Sequence, residues 1–109
     1  MNIFNNLPID QSQEEITTLL SSGTLRIERI VSNGQCSPPD FWYDQEEHEW
    51  VLVLSGQGVI EYPDKKRITL SSGDHLHIPP RVRHRVCQTS QEVPTIWLAV
   101  FWPDQIEAD

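Results

Sequence analysis

The sequence predicts an all-β domain, a sandwich or barrel of two antiparallel sheets, preceded by one short helix. Three observations carry that prediction. From Thr24 onward the chain breaks into short β-prone runs spaced roughly ten residues apart. The gaps between them hold residues that favour turns. With 109 residues and neither an internal repeat nor a low-complexity linker, there is room for one domain.

Taken in order, Ser12 with Glu15 three positions on reads as a capping box, Ile16, Leu19 and Leu20 form a short apolar stripe, and Gly23 supplies a stop. Residues 1–24 are therefore expected to form an N-terminal helical segment packing on a barrel of residues 25–109. The β runs are Leu25 to Val31, Glu49 to Leu54, Val59 to Tyr62, Arg67 to Leu70, His75 to Ile78, Arg83 to Cys87 and Thr95 to Trp102. Between them stand Asn33-Gly34, Ser55-Gly56, Pro63-Asp64, Ser71-Ser72-Gly73 and Pro79-Pro80. Pro38-Pro39 favours an extended approach to the aromatic cluster Phe41-Trp42-Tyr43.

Two runs do not alternate. Trp50 to Leu54 and Ile96 to Trp102 are apolar at every position, so both faces of each strand need cover. The N-terminal helix can cover one, and a second copy of the chain is the economical cover for the other, so a homodimer is expected.

The chain has 16 acidic and 8 basic residues, a formal charge of -8. Residues 1–62 hold ten acids and two arginines, whereas residues 63–109 balance six against six. This disfavours nucleic acid and anionic membranes as partners. Two cysteines, Cys36 and Cys87, are too few for a disulfide framework and show no CxxC spacing. There is no basic-then-apolar leader and no apolar run of spanning length, so a cytoplasmic location is expected.

One stretch carries motif content. Glu49 and Gly56 enclose six residues, and further on Gly73, Pro79 and His84 stand at fixed intervals, with Arg81 and Gln88 at two further positions of the pattern. From Tyr43 to Gln88 this resembles the two consecutive motifs of the cupin family, small β-barrels that hold a metal or ligand in the barrel mouth. Arg81 replaces a motif glycine and Gln88 a motif asparagine. The first motif's His-x-His is missing, its positions being held by Tyr43 and Gln45 at a three-residue spacing to Glu49, or by Trp42 and Asp44 at a four-residue spacing; the string Trp42-Tyr43-Asp44-Gln45 resembles a WYDQ-x-x-x-EWV subset of small single-domain cupins. The resemblance implies a jelly-roll fold. It also implies a ligand site built on Glu49 and His84, with a divalent metal (Mn, Fe, Ni or Zn) as its cofactor.

Strand parity tests the carry-over. In an extended segment Tyr43, Gln45, Glu47, Glu49, Val51 and Val53 share one face, and Val82, His84 and Val86 share another. A carboxylate and an imidazole facing each other across a small barrel need a cation, a direct hydrogen bond or water. Gln45, Glu49 and His84 form a mixed N/O set that suits a divalent metal loosely, with Tyr43 as a candidate catalytic proton donor. The alternative is a metal-free polar network of the same four residues.

The other candidates have plainer readings. His48 falls outside the barrel by parity, a structural or interface histidine. His75 and His77 lie opposite the apolar Leu76 and Ile78, on a surface or interface. Arg81, Arg83 and Arg85 form an outward stripe that pairs with acids such as Glu46 and Glu47. The aromatics fill core and interface, or wall the pocket. Nucleophile elbows and phosphate-binding glycine loops are absent. The favoured function is binding of a small organic ligand in the barrel. The alternative is a metal-dependent dioxygenase, isomerase or decarboxylase using Glu49 and His84, and a purely structural dimerisation unit leaves the inward pair unexplained.

Overall fold

The computed structural model describes residues 2–104; the barrel assignment of residues 105–109 lies outside the described residues. Eight strands follow in order: β1 (Glu15–Ser22), β2 (Leu25–Ser32), β3 (Glu47–Ser55), β4 (Gln57–Glu61), β5 (Arg67–Ser71), β6 (His75–Ile78), β7 (Arg85–Thr89) and β8 (Thr95–Pro103). They form a five-stranded sheet, β1-β2-β8-β3-β6, facing a three-stranded sheet, β5-β4-β7, with every pairing antiparallel. Each of the seven expected β runs is a strand.

The N-terminal helix is a correction. Its residues are β1, paired along β2 with Ser22 opposite Leu25. Gly23 takes φ +56° at the first central position of the two-residue turn Gly23-Thr24, as a type II′ hairpin requires. The β-branched Ile16, Thr17 and Thr18 suit the pleat, and an irregularity between Thr18 and Leu20 absorbs the spacing that mimicked a helical stripe. Ser12 bonds Asp10 and Glu15 bonds Arg29, so no capping box forms.

Cover for the outer face of β2 comes instead from the segment before β1. Arg29 projects there and donates to the carbonyls of Ile3, Asn5 and Asn6 and to Glu15 Oε1. Its guanidinium gathers the N-terminal segment much as a cap gathers the end of a helix.

The core lies between the sheets. Val51, Val53 and Trp97 from the large sheet meet Ile60 and Leu70 from the small one. Inward side chains of the large sheet fall in rows across the strands. Ile30 and Val53 flank Trp97, Glu28 and Val51 flank Ala99, and Arg26 and Glu49 flank Phe101, with Ile78 beyond Glu49. The rows pass from apolar at the closed end to charged at the open end, which places the polar chemistry in the mouth.

On the opposite face of β3 and β8, Trp50 pairs with Val100 and Leu52 with Leu98, while His77 and His75 of β6 flank Trp50 and Leu52. His48 stacks on Trp102 at 4.9 Å and meets His77 at 2.8 Å between Nδ1 and Nε2. All three histidines thus stand outside the barrel, as parity required.

The arginine stripe divides. Arg81 pairs with Asp44 and Glu46, while Glu47 is taken by Arg26. Arg85 is buried against Glu61 at 2.7 Å, and Glu61 also accepts from Arg67 at 2.8 Å. Hydrogen bonds from Arg67 and then Arg85 hold the Glu61 carboxyl below its ordinary 4.5.

Candidate functional site

The mouth of the barrel opens into a cavity of about 230 Å³. Its walls are mainly apolar, with Val51, Ile60, Ile78, Val86, Trp97 and Phe101 contributing, and its ionisable lining groups include Glu14, Arg26, Glu28, Glu49 and His84.

All four site residues read from the sequence line this cavity. Glu49 enters from β3. His84 enters from just before β7, where the chain pairs with Tyr43 through Tyr43 N to His84 O (2.8 Å) and His84 N to Tyr43 O (3.2 Å). Arg81 N donates to Gln45 O at 2.8 Å, tying the segment carrying Gln45 to the same turn. Arg81 takes φ +62° at the position where the motif pattern has glycine. A side chain in this left-handed conformation costs roughly 1 kcal/mol, and the ion pairs to Asp44 and Glu46 offset part of it.

His84 Nδ1 lies 2.9 Å from Val82 O. A carbonyl only accepts, so Nδ1 carries the proton and Nε2 is the atom presented to Glu49. Nε2 and Glu49 Oε1 stand 3.5 Å apart, with side-chain exposures of 4% and 13%. Gln45 Nε2 donates to the same Oε1 at 3.2 Å. Tyr43 stacks on His84 at 5.5 Å, is itself 40% exposed, and forms the lip of the cavity. Burial, then the nearby Glu14 and Glu49 carboxylates, push its phenol above the ordinary 10.0, so the hydroxyl stays protonated at neutral pH.

Three charged lining residues, Glu14, Arg26 and Glu28, escaped the sequence reading. Arg26 lies with its guanidinium carbon 4.2 Å above the Phe101 ring, donates through Nε to Glu28 at 2.9 Å, and reaches both oxygens of Glu47 at 3.0 and 3.2 Å. Opposite charges two residues apart on one strand, Arg26 and Glu28, were the signal available. Glu47, which shares the Glu49 face by parity, belongs to this cluster through Arg26.

The donors can be tested against a divalent metal. Glu49 and His84 are strong ligands, Gln45 is a weak one, and among the described residues no three His, Cys, Asp or Glu side chains are grouped to hold an ion. Two strong ligands and one weak one do not fit a tightly bound resident metal centre.

Among the described residues no helix is long and apolar enough to cross a membrane. No curated protein matches the chain. Among solved structures, a Ralstonia eutropha JMP134 protein provisionally assigned as a mannose-6-phosphate isomerase is 45% identical, with a TM-score of 0.90 over 94% of this chain and 96% of that one. A cupin superfamily protein from Desulfitobacterium hafniense DCB-2 shares the fold at 19% identity, with a TM-score of 0.74 over 90% of this chain and 84% of that one. An RmlC-like cupin from Desulfovibrio desulfuricans does so at 18% identity and a TM-score of 0.74, over 97% and 96%. The cupin domain family profile matches residues 27–101. With that profile spanning most of the barrel, the chain belongs to the cupin family.

Proposed function

We propose that this cupin binds a small organic molecule in the barrel mouth, anchored by Glu49, His84 and Gln45 with Tyr43 at the entrance. The observation that carries the reading is the largely buried Glu49–His84 pair in the mouth of an apolar-walled cavity. Polar groups in such a place are costly unless something satisfies them, and a bound ligand does.

The test is a thermal-shift screen of small polar organics against the wild type, Glu49→Ala and His84→Ala. A ligand present at a hundred times its Kd adds about 2.7 kcal/mol, roughly 10–20 °C for a domain of this size. Such shifts are expected in the wild type and absent in both variants. Ligands that stabilise all three proteins equally would place binding elsewhere. In the same preparations a divalent metal is expected below one equivalent, rising on incubation with Mn²⁺ or Zn²⁺ in the wild type alone.

A second reading, catalysis, is favoured by the provisional assignment of the 45%-identical protein. Aldose–ketose interconversion needs a base for the proton next to the carbonyl and an acid to return one. Glu49 or His84 would serve as the base, and the protonated Tyr43 hydroxyl as the acid. Incorporation of deuterium at C2 of mannose 6-phosphate in D₂O, lost in Glu49→Gln, is the readout that would favour it over binding alone.

We further propose that a second copy of the chain covers the outer face of β3 and β8. On a protein of charge -8, the uncharged patch of Trp50, Leu52, Leu98 and Val100 lets two copies meet without opposed carboxylates. Light scattering is expected to give twice the 12.6 kDa chain mass, and Trp50→Glu is expected to give the monomer. A wild-type monomer at micromolar concentration would refute the interface.

A further inference from the structure

We propose that the molecule taken up in the barrel mouth carries a primary ammonium group on a compact apolar body, and that the mouth rejects phosphorylated and carboxylate ligands. This rests on the ligand-binding reading above and names the chemical class it selects.

The first support is the charge inventory of the cavity. Its lining holds three carboxylates, Glu14, Glu28 and Glu49, against one guanidinium, Arg26, and the His84 imidazole. Arg26 donates through Nε to Glu28 and through Nη1 to both oxygens of Glu47, and its guanidinium carbon lies over Phe101, so two carboxylates already balance its charge. Arg81, close by in the turn that pairs with Gln45, is held by Asp44 and Glu46. An incoming phosphate would meet a lining with more carboxylates than guanidinium groups.

The second support is directional. His84 Nδ1 points at Val82 O, and its Nε2 stands 3.5 Å from Glu49 Oε1. The contacts from Gln45 and His84 both fall on Oε1, which leaves Oε2 as a further acceptor. A carboxylate with an open oxygen facing the cavity calls for a donor, and an –NH₃⁺ head supplies three and a compensating charge. Alcohols bring one donor and no charge; carboxylates and phosphates bring more acceptors.

The third support is size. A cavity of 150 Å³ holds benzene, so about 230 Å³ holds roughly nine or ten non-hydrogen atoms. Apolar walls such as Ile78, Val86 and Trp97 then face the body of the ligand.

The test uses matched probes on the whole protein by isothermal titration calorimetry: cyclohexylamine, cyclohexanol, cyclohexanecarboxylate and mannose 6-phosphate. Cyclohexylamine is expected to bind at least tenfold tighter than cyclohexanol, with no binding of the two anions. In Glu49→Gln the amine-to-alcohol ratio is expected to fall to within about threefold. Amine attracted only to the acidic surface would keep its affinity in Glu49→Gln and lose it on raising the salt, which overturns the inference. Equal binding of amine and alcohol, or tighter binding of either anion, also overturns it while leaving the pocket in place. Failure of all four probes to bind would instead refute the ligand-binding reading on which it rests.

Discussion

Gly58→Ala is expected to lower the melting temperature by roughly 4–20 °C, and Gly58→Val to prevent folding. Gly58 lies in β4 with its α-carbon facing the large sheet, and a methyl group there would sit 2.2 Å from Cη2 and 2.3 Å from Cζ2 of Trp97. The indole cannot yield cheaply. Trp97 is 3% exposed, packs against Val51, Val53, Ile60 and Leu70, and donates through Nε1 to Ser32 Oγ at 3.2 Å. Forcing one extra carbon into such a core costs about 2–3 kcal/mol, toward the upper end for overpacking, and each kcal/mol moves the midpoint of a domain this size by about 4–8 °C. Alanine's ordinary advantage over glycine in a strand, about 0.5–1 kcal/mol, works the other way and is too small to reverse the sign. A second substitution tests the cause. Gly58→Ala with Trp97→Phe removes the clashing ring and should melt above Gly58→Ala alone. If Gly58→Ala melts within 2 °C of the wild type, on the order of 0.5 kcal/mol or less, the two sheets do not close on Trp97 as described.

The strands of this fold were legible where a run was bounded by its own turn chemistry, as at Ser55-Gly56 and Ser71-Ser72-Gly73. β1 was not. Ile16, Leu19 and Leu20 carry a helical spacing, and what makes them a strand is pairing with β2 through a hairpin whose signal, Gly23-Thr24, doubles as a helix stop. β1 lies at the edge of the sheet and leaves Ile16, Leu19 and Leu20 exposed at 60%, 46% and 50%, so no inward alternation marks it.

The site divides in the same way. Glu49 and His84 were readable from spacing and parity, because each is followed by valines that define the inner face. Arg26 and Glu28 were hidden because their strand looks apolar on the other side, at Leu25, Ile27 and Val31. That outer side is partly covered by the N-terminal segment held on Arg29, an arrangement with no local signature.

The largest expected effect in the mouth is an increase in stability. Glu49→Leu alone leaves the imidazole of His84 without its partner, and His84→Leu alone leaves a carboxylate that is 13% exposed beside apolar walls. Each single variant is expected to lose about 1–3 kcal/mol. Removing both polar groups has the opposite sign, because replacing a buried, mutually partnered polar pair with well-packed apolar side chains is neutral to stabilising by about 1–4 kcal/mol. Val82 O loses its donor in the double variant, at a cost of about 1 kcal/mol. The balance predicts that Glu49→Leu with His84→Leu melts at or above the wild type, by up to roughly 15 °C, and no longer responds to ligand. This separates two accounts of the pair. A polar network kept for the sake of the fold would make the double variant less stable than either single one, because both anchors of the mouth would be gone. A pair kept for a ligand burdens the empty barrel, so its removal frees stability while abolishing binding, the exchange expected of a functional site. Denaturation of the four proteins, with the coupling energy taken from the double-mutant cycle, decides between them.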